Sequence, residues 1–356
     1  MMRILLFIDS LTQGGAQRQM VGLAVLLKER GYPVMVVSYH DIPFFRPYLE
    51  EHHVEQLCIK NPKNRWGVIW LTRKTIKKLR PDVVVSYLDS PNIIMSLIKL
   101  TGLRFKLVVS ERNTTQSLTF QNRMRFFLYK WADAIVPNSY SQKQFIENHY
   151  PGLAQKSRVI TNFVDIDIFC PVPKKKRDSI LFIIGVGRVE KQKNIGCLIK
   201  AVKTVISQGY CVHVDWYGRK SELIMKYEEM IEELQLESVF AFHDPTMQIN
   251  EKFQNAHLFC LPSFYEGYPN VLCEAMACGL PVICSNVCDN ASIMQVDANG
   301  FLFDPYDSQE LADQIIRFIN CSRETKEQMG IKSRELAEKR FGKEIFIKKY
   351  IEVLQL

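Results

Sequence analysis

Short runs of β-branched and other apolar residues recur along the chain, separated by longer segments whose apolar positions follow a helical spacing. The runs at 4–8, 34–37, 83–86, 107–110 and 134–137 make a first series. Those at 180–186, 212–217, 239–242, 258–261 and 281–284 make a second. Strands alternating with helices imply parallel sheets, so the pattern predicts an α/β protein. Between the series, Pro171-Val172-Pro173 and then Lys174-Lys175-Lys176-Arg177-Asp178 show no apolar periodicity. That stretch reads as an interdomain linker, or as a solvated loop within one domain. The last segment, 341–356, carries Phe341, Ile345, Phe346, Tyr350, Ile351 and Leu354 as a helical stripe that needs a surface to pack on.

Length and composition sharpen this picture. A chain of 356 residues with 47% hydrophobic content can bury a large core, and its length suits two domains. The longest apolar stretches, such as 21–27 and 180–186, fall far short of the roughly 18–20 residues a membrane-spanning helix needs. The apolar run after Met1-Met2-Arg3 is too short for a signal peptide and reads as a first buried strand, so a cytoplasmic protein is expected. Ten cysteines are scattered, several inside apolar runs, and no C-x-x-C pair occurs. Cys284 and Cys288 come nearest to a ligand pair without a second pair beside them, so no metal is expected.

The formal charge of +8 is unevenly spread. Residues 1–168 hold 23 Lys and Arg against 13 Asp and Glu, whereas the remainder holds 23 against 25. A basic first half suits an anionic partner, whether nucleic acid, a polyprenyl phosphate carrier or an anionic leaflet. No nucleic-acid recognition module is discernible, which disfavours nucleic acid. Within this half, Arg123, Arg125 and Lys130 are interleaved with Phe126, Phe127, Leu128, Tyr129 and Trp131, and Arg73, Lys74, Lys77 and Lys78 lie close together. Basic-aromatic helices can lie on a membrane surface, and an ordinary core helix with solvated charges fits the same spacing.

Three loops carry candidate chemistry. After the first strand, Gly14 and Gly15 open a helix and let backbone N–H groups approach a phosphate. The full G-x-G-x-x-G fingerprint is missing, and Ser38 and His40 stand where a dinucleotide site needs an acid, so dehydrogenase chemistry is disfavoured. After the strand at 180–186, Arg188 and Lys193 lie on a loop before a helix, where open α/β sheets bind ligands, and can converge on a diphosphate. A solvated basic turn would look the same. In the third loop, Glu266 lies between a strand end and a helix expected to start near Asn270 and stop at Gly279, with Glu274 one turn inside it. The leading N–H groups of Asn270, Val271 and Leu272 form a phosphate site. A nucleotide sugar offers hexose hydroxyls for Glu266, ribose hydroxyls for Glu274 and a diphosphate between them.

The segment E-G-Y-P-N-V-L-C-E-A-M-A-C-G-L-P-V-I from Glu266 closely resembles the signature of glycosyltransferase family 4. The resemblance extends to Gly14-Gly15-Ala16-Gln17-Arg18, Asn138-Ser139-Tyr140-Ser141, Ile160-Thr161-Asn162-Phe163-Val164-Asp165, Gly187-Arg188 with Lys193-Asn194, and Asn299-Gly300-Phe301-Leu302-Phe303. It implies the GT-B architecture: two Rossmann-like domains with parallel sheets facing across a cleft, and a C-terminal helix returning to the first. On that basis residues 1–168 with 341–356 form an acceptor domain, and 169–340 a donor domain. The resemblance further implies a retaining transferase using a UDP- or GDP-sugar without metal or other cofactor, acting on a glycan or a polyprenyl-diphosphate-linked acceptor. Arg188, Lys193 and Glu266 are then catalytic, and Gly14, Gly15, His243, Asn270, Val271, Leu272 and Glu274 bind the donor. One departure stands out: many members carry a histidine where this chain reads Ser110-Glu111-Arg112-Asn113. Sequences resembling bacterial surface-polysaccharide transferases read similarly there, which assigns Glu111 and Arg112 to the acceptor or donor-sugar side; a capped strand end with a local salt bridge is the alternative. A nucleotide-sugar sensor and a sugar-nucleotide epimerase of the same architecture are the rival functions.

Overall fold

The computed structural model describes residues 2–59, 64–173 and 180–355. The chain divides into two compact units, Met1–Phe163 with Lys343–Leu356, and Val164–Gly342. The first contains strands β1 (Ile4–Phe7), β2 (Val34–Ser38), β3 (Glu55–Cys58), β4 (Val83–Tyr87), β5 (Lys106–Glu111) and β6 (Ala134–Pro137). They pair in parallel in the order β3-β2-β1-β4-β5-β6. The second contains β7 (Leu181–Val186), β8 (Val212–Tyr217), β9 (Phe240–His243), β10 (Leu258–Leu261), β11 (Val282–Ser285) and β12 (Gly300–Phe303). Their order, β12-β11-β10-β7-β8-β9, repeats the first sheet's topology. This is the doubly wound Rossmann order, whose direction reverses between the first and fourth strands of each sheet.

Successive side chains of each strand enter opposite helical layers, because strand geometry alternates faces. Ile4, Leu6 and Ile8 join one core with Val83, Val85 and Tyr87, while Leu5, Phe7 and Val84 join the other. In the second unit, Val212, Val214 and Trp216 share a core with Leu258 and Cys260, and Phe259 and Leu261 face the opposite one. Sheets buried on both faces require apolar residues at successive positions, which explains the uninterrupted runs.

The two strands missing from the expected set, β3 and β12, are sheet edges. The β3 sequence Glu-Gln-Leu-Cys has alternating exposed and half-buried positions, so it gives no apolar run.

The C-terminal stripe is divided by the fold. Phe341 ends the helix Arg323–Phe341 and packs edge-on to Tyr268 in the second unit, with ring centroids 6.2 Å apart. Gly342 is extended at φ −64°, ψ 150° and breaks the helix. Helix Lys343–Leu354 belongs to the first unit, where Phe346, Ile347, Tyr350 and Leu354 enter the core, and the buried Tyr350 and Tyr87 hydroxyls lie 2.6 Å apart.

The other division falls at Phe163/Val164, earlier than the 168/169 boundary expected from sequence. Arg334 explains the shift: its Nη1 donates to the carbonyls of Ile166 (3.1 Å), Phe169 (2.8 Å) and Ala277 (2.8 Å), tying 164–169 to the second unit. Of the expected linker, 171–173 fall within that unit, and 174–178 lie outside the described residues.

Candidate active site

Strands β7 and β10 are neighbours at the reversal point of the second sheet, and the loops leaving their carboxyl ends interlock. Phe264 N–H donates to the Gln192 carbonyl (2.9 Å), and the Gln192 side-chain amide donates to the Tyr265 carbonyl (2.8 Å). Asn194 adopts the left-handed conformation at φ 52° as the cap of helix Ile195–Ser207. Its amide donates to the carbonyls of Pro262 (3.0 Å) and Pro305 (2.7 Å), tying three loops together. Asn tolerates left-handed backbone better than most residues, which suits it to this corner.

These contacts bring Lys193 and Glu266 together, with Nζ 2.6 Å from Oε1 and side chains 15% and 8% exposed. Ser263 Oγ donates to the same carboxylate oxygen at 2.6 Å, and Ser285 Oγ donates to the Ser263 carbonyl at 2.6 Å. Asn290 Nδ2 donates to the Ser285 carbonyl at 2.9 Å, completing a buried chain from β11 to the carboxylate. Such a chain fixes the carboxylate before any ligand arrives, so its acceptor lone pairs and the lysine's donors are pre-organised.

Two glycines let the basic loop lie close to the sheet. A Cβ on Gly187 would stand 2.8 Å from Lys193 Cε, and a Cβ on Gly218 would fall 1.9 Å from the Gly187 carbonyl oxygen. Trp216 Nε1 also donates to that oxygen at 2.9 Å. Arg188, expected to converge with Lys193, instead pairs with Glu190 at 2.9 Å, its side chain 63% exposed. The ion pair unites Lys193 with Glu266 and leaves the guanidinium on the loop surface.

Asn270 begins helix Asn270–Ala277 behind a Pro269 cap, so Asn270, Val271 and Leu272 occupy its first turn as expected. Glu274 lies on that helix and is 3% exposed. Gly279 follows with φ +73°, the left-handed geometry that ends the helix. His243, at the end of β9, has Nε2 2.5 Å from Asp215 Oδ1, and His213 Nε2 lies 3.4 Å from the same oxygen. The His243 ring stacks on Tyr217, centroids 4.5 Å apart at 17°. Burial and Asp215 raise the Tyr217 hydroxyl above its ordinary pKa, so the phenol stays neutral.

In the first unit, Gly14 caps helix Gly15–Glu29 with extended backbone, and Gln17 Nε2 reaches Asp9 Oδ1 at 3.3 Å beside the end of β1. Glu111 is fully buried at the end of β5. It accepts from Tyr129 Oη and from Gln142 Nε2 (3.1 Å), and Arg125 Nη2 stands 3.4 Å away. Burial raises its carboxyl pKa, with Arg125 opposing the shift. Its surroundings are those of an internal polar hub. Arg112 lies over the Tyr87 ring at 5.0 Å and donates to Asn162 Oδ1; its buried Nε has no hydrogen-bond partner among the described residues.

The family model for Glycosyltransferase Family 4 matches residues 13–168, and that for Glycosyl transferases group 1 matches residues 171–336. The chain is a glycosyltransferase with a family 4 domain followed by a group 1 domain. Among curated relatives, this glycosyltransferase is similar to the N-acetylgalactosamine-N,N'-diacetylbacillosaminyl-diphospho-undecaprenol 4-alpha-N-acetylgalactosaminyltransferase of Campylobacter jejuni, 25% identical over 305 residues. That match covers 80% of this chain and 81% of the relative. The amylovoran biosynthesis glycosyltransferase AmsD of Erwinia amylovora is 24% identical, covering 99% of this chain and 100% of its own. Among solved structures, Anabaena HepE in complex with UDP-glucose superposes with a TM-score of 0.87 at 21% identity, covering 100% of both chains. At that identity the likeness establishes the shared GT-B fold.

Sequence reasoning on this glycosyltransferase missed Ser263, Gln192, Asn194, Asp215 and Tyr217. Ser263 was visible three residues before Glu266, and the alternation His213, Asp215, Tyr217 marked one face of β8. The Gln192 and Asn194 contacts span more than 60 residues and carry no local signal. Among the described residues, no group of three or more His, Cys, Asp or Glu could hold a metal ion, and no helix is long and apolar enough to cross a membrane.

Proposed function

We propose that this glycosyltransferase moves a hexose or N-acetylhexosamine from a UDP-sugar, with retention at the anomeric carbon, to a glycan or polyprenyl-diphosphate-linked acceptor in polysaccharide biosynthesis. The observation that carries the reading is the Lys193–Glu266 pair, held at the reversal point of the second sheet beside the start of helix Asn270–Ala277. Lys193 and the helix start offer positive potential to a diphosphate, and Glu266 offers acceptors to hexose hydroxyls. Glu274 would meet the ribose. Arg188, on an exposed stem, is free to swing from Glu190 to a more highly charged partner.

In the reaction the bond from anomeric carbon to diphosphate oxygen breaks with its electron pair leaving on the diphosphate. The acceptor oxygen bonds to the same carbon from the same face, and its proton goes to the departing diphosphate oxygen. Cations and amides aimed at the leaving group stabilise the charge that grows there. These groups supply the neutralisation, so the reading includes no metal or other cofactor.

Support for UDP comes from HepE, solved with UDP and with UDP-glucose, and support for a lipid-linked acceptor from the Campylobacter relative's undecaprenol substrate. A GDP-sugar is the alternative donor. Thermal melting with UDP, GDP and their sugars tests this, since a ligand that binds the folded state raises apparent stability. UDP-sugars are expected to stabilise most, and the product from the stabilising donor should keep the donor's anomeric configuration by NMR. An inverted product, or sugar interconversion without any acceptor, would overturn the reading.

A further inference from the structure

Large exposed apolar side chains of the first unit gather on neighbouring helices of one layer. On helix Arg65–Leu79, Val68, Thr72 and Ile76 already fill the inner face. Trp66 and Trp70 point elsewhere, 77% and 62% exposed and one turn apart. Lys74 continues their row, its Nζ 5.5 Å from the Trp70 ring centroid. This helix carries five Lys and Arg and no acidic residue.

Helix Phe120–Leu128 and the turn Tyr129–Trp131 after it repeat the device. Phe120, Met124, Phe127 and Trp131 recur at helical spacing as exposed side chains, Phe120 at 78%. Lys130 Nζ stands 4.9 Å over the Phe127 ring, and this segment also has no acidic residue. Helix Asp89–Lys99 packs against both of these helices and ends beside the exposed Leu100.

We propose that this layer docks on an anionic lipid surface, with the indole and phenyl rings at headgroup depth and the lysines on the lipid phosphates. Two features select lipid. Tryptophan, with an apolar body and one N–H, favours the boundary between hydrocarbon and water. Lys74 and Lys130 keep their ammonium groups beside those exposed rings, on long stems that can snorkel to headgroups. Arg125 turns inward onto Asp89 and Glu111, and the exposed Lys74, Lys77, Lys78, Arg123 and Lys130 complement an anionic leaflet. The role of this docking, bringing the enzyme to a membrane-borne acceptor, rests on the function proposed above; the binding itself does not.

Flotation of the whole protein with phosphatidylcholine vesicles, and with vesicles containing about one third phosphatidylglycerol, tests the proposal. Binding to the anionic vesicles is expected to be at least about tenfold stronger, and to fall with added salt. Trp66→Ser/Trp70→Ser should weaken it at least about tenfold, and Phe120→Ser should weaken it in the same direction. The tryptophan variant should keep its melting temperature and its rate on a water-soluble acceptor. Equal binding to both vesicle types, or flotation of both variants like wild type, would overturn the docking. Transfer to a soluble acceptor without vesicle binding would overturn the docking alone. Vesicle binding lost in the variants, in a protein that transfers no sugar, would uphold the docking and overturn the function.

Discussion

Lys193→Met separates the structural and chemical roles of the buried ion pair. Methionine keeps an unbranched stem against Gly187, where the lysine Cε lies, and removes only the charge. Glu266, 6% exposed, keeps the Ser263 hydroxyl at 2.6 Å and loses a cation at 2.6 Å. Removing one partner of a buried pair costs about 3–5 kcal/mol, and the retained hydroxyl places this case near about 3 kcal/mol. For a unit of this size each kcal/mol moves Tm by about 2–4 °C, so the second unit should melt about 6–12 °C lower. Turnover depends on another quantity, the charge developing on the leaving diphosphate. Loss of one pre-organised donor there slows reaction by about 100- to 1,000-fold. Lys193→Met/Glu266→Gln removes both charges, so it should recover most of the Tm while transfer stays slow. Calorimetry and initial rates at saturating donor give the two readouts. Lys193→Met turning over within about threefold of wild type, or a double variant no more stable than the single, would refute the reasoning.

Other positions give independent checks. Gly218→Ala puts a Cβ 1.9 Å from the Gly187 carbonyl oxygen, so the basic loop must shift; donor KM should rise at least about tenfold, the scale of a misplaced binding group, as initial-rate kinetics would show. Phe346→Ala empties a buried site in the first unit's core and should cost about 3–5 kcal/mol, measured by denaturant unfolding. Glu111, whose folded pKa is raised by burial, favours the neutral carboxyl, so its contribution to stability is complete below the usual Glu value and is lost as pH rises through the raised one. Wild-type Tm should therefore fall across that window relative to Glu111→Gln, in paired pH–Tm profiles.

The hydrophobic pattern alone carried ten strands to within a residue or two, because both faces of each sheet are covered and inner strands leave uninterrupted apolar runs. The edge strand Glu55–Cys58 is half solvated and leaves no such mark. Lys193 and Glu266 were legible as candidate site residues from loop position, but their union depends on the long-range Gln192 and Asn194 contacts that dock two loops. Arg188 illustrates the converse, since a local acid at Glu190 captures a side chain that spacing alone aims at Lys193. The unit boundary was masked by composition: the charged stretch after Pro173 advertises a linker, whereas Arg334 fixes the preceding segment by backbone carbonyls that no side-chain pattern reveals.

The most direct test is a crystal structure of the protein with an intact UDP-sugar bound. The pyrophosphate is expected within hydrogen-bonding distance of Lys193 Nζ and the leading amides of helix Asn270–Ala277, with Glu266 on the hexose hydroxyls. A pyrophosphate seated away from those groups, with the Lys193–Glu266 pair undisturbed and touching no part of the donor, would contradict the account.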